Sequence, residues 1–277
     1  LISSDSDDAF KSYSVLHSSN TERKLIQSEV YKEAIAEINK SNSLDQKINI
    51  VYLPHWHEGV IGIVASKLVE TYRIPAMVFT NASDDGVIKA SIRSAGSLNI
   101  FNLLQESSEL FIKFGGHKAA AGLSMNKENL PKLRHNADRY LDDIPEILRT
   151  KQDTVDLVIT PGEITPKLLR TLEMLEPFGM ENEKPVFKMS GIKLDSYDLM
   201  KEVHVRWNFV CAKNPKIKLK GLSFNYIGSF DKVHPEEIFQ GQKEITNELT
   251  IFFTLGINRW KGREYIQLMI EKISLLP

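Results

Sequence analysis

Only one cysteine, Cys211, occurs in 277 residues, so an intramolecular disulfide is excluded and the composition fits a reducing, cytoplasmic setting. No run of about 18 apolar residues is present, and no segment reads as a membrane-spanning helix. The opening Ser3-Ser-Asp-Ser-Asp-Asp8 lacks the charged-then-apolar pattern of a secretory leader, and Leu1 is not an initiating methionine. The chain therefore reads as part of a longer protein. Clustered metal ligands are scarce as well. After the first few residues the only adjacent aspartate pairs are Asp84-Asp85 and Asp142-Asp143. Neither has a histidine beside it, and both read as solubilising charge at a turn and a helix end.

What is present suffices for two cores, since 42% of the residues are hydrophobic and the length fits two domains. Net charge is −1, but it is unevenly spread: residues 184–277 hold 15 Lys and Arg against 10 Asp and Glu, whereas residues 1–183 hold 20 against 26. The basic second half suits a groove that tracks a phosphate backbone.

Periodicity gives the elements. Ile26, Val30, Ala34 and Ile38 stripe a helix over residues 21–39. Residues 47–54 read as a buried strand, Val60 to Leu68 as a helix ended by Tyr72-Arg-Ile-Pro75, and residues 76–80 as a second strand, which together form a β-α-β unit. A further stripe from Ile100 to Phe111 predicts a helix running into Gly115, which would put His117 in the turn after it; Leu130 to Leu141 predicts another. Residues 148–184 form a connector with a short helix near 166–172. From there the period becomes two. Val203, Val205, Trp207, Phe209 and Cys211 share one face, while Lys216, Lys218 and Lys220 oppose Ile217 and Leu219. Residues 247–257 and 264–273 predict a hairpin around Asn258–Arg263, completing about five strands, as in a small OB-type barrel. Arg206, Lys218 and Lys220 are candidate strand contacts there. Trp260, between Arg259 and Arg263, either stacks on a base or packs on the barrel end.

Three segments carry chemistry. In Val87–Ser94, Lys89, Ser91 and Arg93 share one strand face. A guanidinium grips phosphate oxygens bidentately and a hydroxyl adds a donor, although a plain solvated face reads equally well. In Phe114-Gly-Gly-His-Lys-Ala-Ala-Ala-Gly122, Gly115 and Gly116 let backbone approach an anion and His117 donates or relays a proton. The bland alternative is a helix cap with a solvated histidine. In His55-Trp-His57 two imidazoles flank an indole, but no cysteine or third histidine lies near in sequence. His57 and Glu58 are better read as capping the helix that follows.

The order and spacing of His57–Leu68, Lys89–Ser94 and Phe114–Gly122 resemble the DHH-associated domain of the RecJ-type exonucleases. Asn20-Thr-Glu-Arg23 is similar to the helix that leaves the catalytic domain in that family, and Leu175–Asn182 with Pro185-Val-Phe187 to its entry into an OB domain. The resemblance implies an α/β DHH-associated domain (45–147) after a connecting helix (1–44), then a helical linker (148–184) and a small all-β OB-like barrel (185–277). It further implies 5′→3′ hydrolysis of single-stranded DNA in repair and recombination, with Mn²⁺ or Mg²⁺ held by an Asp-His-His domain that has no counterpart here. No metal ligand is expected in this chain, and by itself it is expected to be inactive. Ser91 and Arg93 would hold the terminal phosphate, Lys89 and Ser94 would add phosphate or DNA contacts, Gly115 and Gly116 would present backbone donors, His117 would reach the scissile phosphate or its leaving oxygen, and Arg23 would add a weaker contact. A single-strand-binding protein or a helicase is the implied partner. Two other readings stay open: a phosphoesterase of short oligonucleotides or nucleotide phosphates, and a strand-binding module without chemistry of its own.

Overall fold

Alternation of apolar and polar residues builds the sheet of the first of two units, Leu1–Gln152 and Asp153–Pro277. The computed structural model describes residues 2–41, 46–179, 181–227, 232–245, 248–260 and 262–275. A long helix α1 (Ser6–Ser41) leads to β1 (Asn49–Tyr52), α2 (Glu58–Tyr72), β2 (Ala76–Asn81) and β3 (Val87–Arg93). Then come α3 (Ile100–Glu106), β4 (Phe111–Gly116), β5 (Ala120–Asn126), α4 (Leu130–Asp142) and a short α5 (Glu146–Arg149). The sheet order is β1-β2-β3-β5-β4, with β1 and β2 parallel and the other pairs antiparallel.

The two faces of this sheet are covered unequally. Ile88, Ala90 and Ile92 of β3 join Ala121, Leu123 and Met125 of β5 in a core closed by α3 and α4. On the other face α1 and α2 pack over Val51, Ala76 and Val78. Full burial of side chains such as Leu68 and Phe79 stabilises the unit by about 1.5–3 kcal/mol each. The outward positions of β5 and β4 belong to neither cluster, so half of that face stays open.

Two expectations need correction. The helix containing Arg23 begins at Ser6, not near Asn20. Asp5 Oδ1 accepts the Asp7 and Asp8 N–H groups, and no glycine or proline interrupts the run that follows. The helix expected to run into Gly115 ends at Glu106, and Phe111–Gly116 is a strand paired with β5. The alternation was hidden there by a bulge between Phe111 and Lys113, by the 61% exposed Ile112, and by the small residues of Ala120-Ala-Gly122. His117 consequently sits in a β-hairpin turn.

The second unit adds β6 (Leu157–Val158), α6 (Pro166–Glu173), β7 (Phe187–Met200), β8 (His204–Cys211) and β9 (Lys218–Ser223), then α7 (Pro235–Ile245), β10 (Leu249–Trp260) and β11 (Arg263–Leu275). The order β10-β11-β9-β8-β7 closes through a β10–β7 pairing into a five-stranded barrel, with β6 appended to β7. As the alternation predicts, Val205, Trp207 and Phe209 point inward. Trp207 is fully buried; its Nε1 donates to Ser223 Oγ at 2.9 Å, and that hydroxyl donates to Ile270 O at 2.8 Å. Helix α7 contributes the buried Ile238 to the same core.

Candidate nucleic-acid interface

Helix α2 begins where the sequence places it. His57 is the N-cap, its Nδ1 accepting the Gly59 N–H at 3.0 Å, and Glu58 in the first turn favours the positive end of the dipole. This end of the helix and β3 enclose an open cavity of about 550 Å³ whose lining includes Glu58, Gly59, Gly62, Lys89, Ser91 and Arg93. Lys89 pairs with Glu58. Arg93 donates through Nη1 to Ile92 O at 2.8 Å and to Ser91 Oγ at 3.2 Å, so its guanidinium is held beside the serine. Gly62 makes this possible: a Cβ there would lie 2.9 Å from Ser91 Oγ and 3.2 Å from Arg93 Nη2. With Lys89 paired to Glu58 and the first turn of α2 capped by His57, the Arg93 guanidinium and the Ser91 hydroxyl are the groups in this recess that suit an anion.

Register relates the second motif to the first. Ser91 pairs with Gly122, which pairs with Gly115; Lys89 pairs with Ser124, which pairs with Lys113. Directly paired residues share a face, so Gly115 lies on the open face two strands from Ser91, about 10 Å away at ordinary strand spacing. Arg93 pairs with Ala120, whose carbonyl accepts the His117 N–H at 2.8 Å. Between the cavity and His117 the floor is Ala120, Gly122 and Gly115, with no side chain larger than a methyl. A Cβ at Gly115 would meet nothing within 4 Å, and one at Gly122 only Ala90 O at 3.5 Å. Packing therefore does not demand either glycine. The exposed His117 is not part of the cavity lining but stands on the turn at the end of the same face.

The other sequence candidates divide. Ser94 ties the turn in place, its N–H donating to Ala119 O at 2.9 Å and its hydroxyl to Leu98 O at 2.7 Å. Arg23 lies along its own helix, bonded to Asn20 and Gln27, and does not line the cavity. Arg206, Lys218 and Lys220 are exposed on the barrel wall formed by β8 and β9. Trp260 pairs with Arg263 and Arg259 with Glu264 in the β10–β11 ladder, but the side chains of Arg259, Trp260 and Arg263 lie outside the described residues.

Sequence reasoning missed Glu33 of α1, which organises the loop before α2. Its Oε2 accepts Trp56 Nε1 at 2.7 Å and lies 2.9 Å from His55 Nε2. The Trp56 hydrogen bond holds the Glu33 carboxyl below the usual carboxylate range; slight burial opposes this, and His55 assists it. Because its folded pKa is depressed, Glu33 contributes stability above its unfolded value and loses it as pH falls through the folded one. Trp56 emission is expected to shift on acidification below the ordinary carboxylate range, and Glu33→Gln to abolish that step; an unchanged titration in the variant would refute the assignment.

No group of three or more His, Cys, Asp or Glu among the described residues is arranged to hold a metal. His55 and His57 are engaged with Glu33 and with the cap of α2. A two-metal site needs more donors than these, so the described residues do not fit one.

An open α/β sheet bearing a Ser-Arg strand and a Gly-Gly-His hairpin, followed by a closed five-stranded barrel, defines a DHH-associated domain joined to an OB domain. Sequence models of both match, the DHHA1 domain over residues 45–143 and the RecJ OB domain over residues 155–272. The chain belongs to the RecJ family. It is 33% identical over 284 residues to the single-stranded-DNA-specific exonuclease RecJ of Bacillus subtilis (strain 168), covering 99% of this chain and 34% of that protein. With RecJ of Escherichia coli (strain K12) it shares 28% over 231 residues, 80% of this chain and 37% of that one. The chain thus spans about a third of the length of these curated relatives. The crystal structure of Thermus thermophilus RecJ with Mg²⁺ matches with a TM-score of 0.73 at 23% identity, covering 100% of this chain and 39% of that one, and supports the fold. No described helix is long and apolar enough to cross a membrane.

Proposed function

We propose that this chain is the substrate-holding part of a single-stranded-DNA-specific 5′→3′ exonuclease acting in repair and recombination. The observation that carries this reading is the cavity where the N-terminus of α2 meets Lys89, Ser91 and Arg93. In this reading the terminal phosphate is held by Ser91 and Arg93, and the strand crosses the glycine floor beneath it. His117, at the far end, donates a hydrogen bond to the scissile phosphate or its leaving oxygen. The barrel wall bearing Arg206, Lys218 and Lys220 is a separate place where phosphates of a single strand are neutralised, which the relatives' specificity for single-stranded DNA supports. Hydrolysis itself relies on a divalent ion, Mg²⁺ or Mn²⁺, such as those bound in the Thermus structures, so the chain by itself binds without cleaving. A helicase or single-strand-binding protein presenting the strand belongs to the same reading.

Fluorescence anisotropy of labelled single-stranded and duplex oligonucleotides tests it. The chain is expected to prefer the single strand and to lose affinity steeply with salt. Lys218→Ala and Lys220→Ala should each lower the slope of log K against log salt by about 0.7. Equal affinity for the duplex, or an unaltered slope, would refute the assignment.

A further inference from the structure

We infer that Phe224, at the end of β9, is a base-stacking platform of the barrel, and that the β8–β9 wall runs from it as a track for a single-stranded polynucleotide. This rests on the proposed strand-binding role and adds the residue that reads the presence of bases.

Phe224 is 57% exposed, although the neighbouring Ser223 is buried and bonded to Trp207 and Ile270. An aromatic ring left in water beside a closed core contributes little to folding. Its position is nevertheless fixed. The His204 ring stands edge-on to it, with centroids 5.3 Å apart and planes at 79°. His204 Nδ1 accepts the Asn225 N–H at 2.9 Å, and Val203 O accepts the Ile227 N–H at 3.1 Å. Two hydrogen bonds thus clamp the segment bearing Phe224 to the start of β8, so little conformational freedom is left to lose on binding.

The wall beyond it has matching chemistry. Outward positions of β8 and β9 pair as Arg206 with Leu222, Asn208 with Lys220 and Val210 with Lys218. Arg206 also faces Asp198 of β7. Cations on alternate residues of one strand recur about every 7 Å, which serves a phosphate backbone, while the ring at the end offers a π-face to any base. Every base has such a face, so the track is indifferent to sequence. A protein partner would require a contiguous apolar centre, whereas on these rungs Leu222 and Val210 are kept apart by the Asn208–Lys220 pair.

The test uses the whole chain, a labelled thymidine oligonucleotide and an abasic oligonucleotide of equal length. Phe224→Ala should weaken binding of the thymidine strand about 5- to 150-fold, the range that stacking supplies, without altering the salt slope or the melting temperature. Binding of the abasic strand should be unaffected, and Phe224→Trp should restore the wild-type affinity. Wild-type affinity in Phe224→Ala, or equal weakening on both strands, would overturn the platform and leave the strand-binding reading standing. Failure of the wild-type chain to bind either strand at low salt would overturn both.

Discussion

Alanine in place of Arg93 is expected to lower turnover of 5′-phosphorylated single-stranded DNA by about 100-fold in the whole protein, the scale of losing one preorganised charged donor. Arg93 carries the largest share of the pocket because its position is determined twice, by the Ile92 carbonyl and by Ser91 Oγ, and Gly62 leaves its Nη2 edge room. Lysine should not rescue it, since a single ammonium cannot bond the carbonyl, the serine and a phosphate from one plane. Ser91→Ala should cost less. The double variant should fall short of the combined effects, because the two side chains touch and act as one unit. Steady-state kinetics on oligonucleotides with a 5′-phosphate and a 5′-hydroxyl supply the check. The variant should lose the preference between them, and a preference retained at wild-type magnitude would refute the clamp.

Much of this site was legible because strand period fixes faces regardless of tertiary context. Lys89, Ser91 and Arg93 share a face by alternation alone, and the cap at His57 follows from its place before an apolar helix. The barrel was legible for the same reason, its inward residues being the large ones, Trp207 and Phe209 among them. What failed was β4 and β5. Alternation is invisible when outward residues are glycine and alanine, and the bulge after Phe111 breaks the count where Phe111 and Phe114 imitate a helical spacing. Those two rings in fact meet on one side of a strand, with centroids 5.4 Å apart, beneath Phe101 of α3. Glu33 was missed because its partners lie more than 20 positions along the chain, beyond any local pattern. Phe224 was missed because an apolar residue at a strand end reads as core until its exposure is known.

The two adjacent glycines should separate binding from folding. At Gly115 a methyl meets nothing within 4 Å and the backbone is not in the left-handed region, so Gly115→Ala should leave stability unchanged or raise it by up to about 1 kcal/mol through the unfolded chain. The same methyl stands on the floor between Ser91 and His117, and a strand lying against that floor is pushed away. Affinity for single-stranded DNA should fall about tenfold, and further with leucine. At Gly116, φ is +151° and a Cβ would lie 2.4 Å from Ala121 Cα and 2.5 Å from Ala120 O, both backbone atoms of the paired strand. Nothing there can yield without opening the hairpin. Gly116→Ala should therefore cost about 2–4 kcal/mol, lowering the melting temperature of the first unit by about 5–10 °C. Calorimetry and anisotropy on both variants decide the matter: a Gly115→Ala chain that binds as tightly as wild type would show that the floor is not a path for the strand, whatever becomes of Gly116.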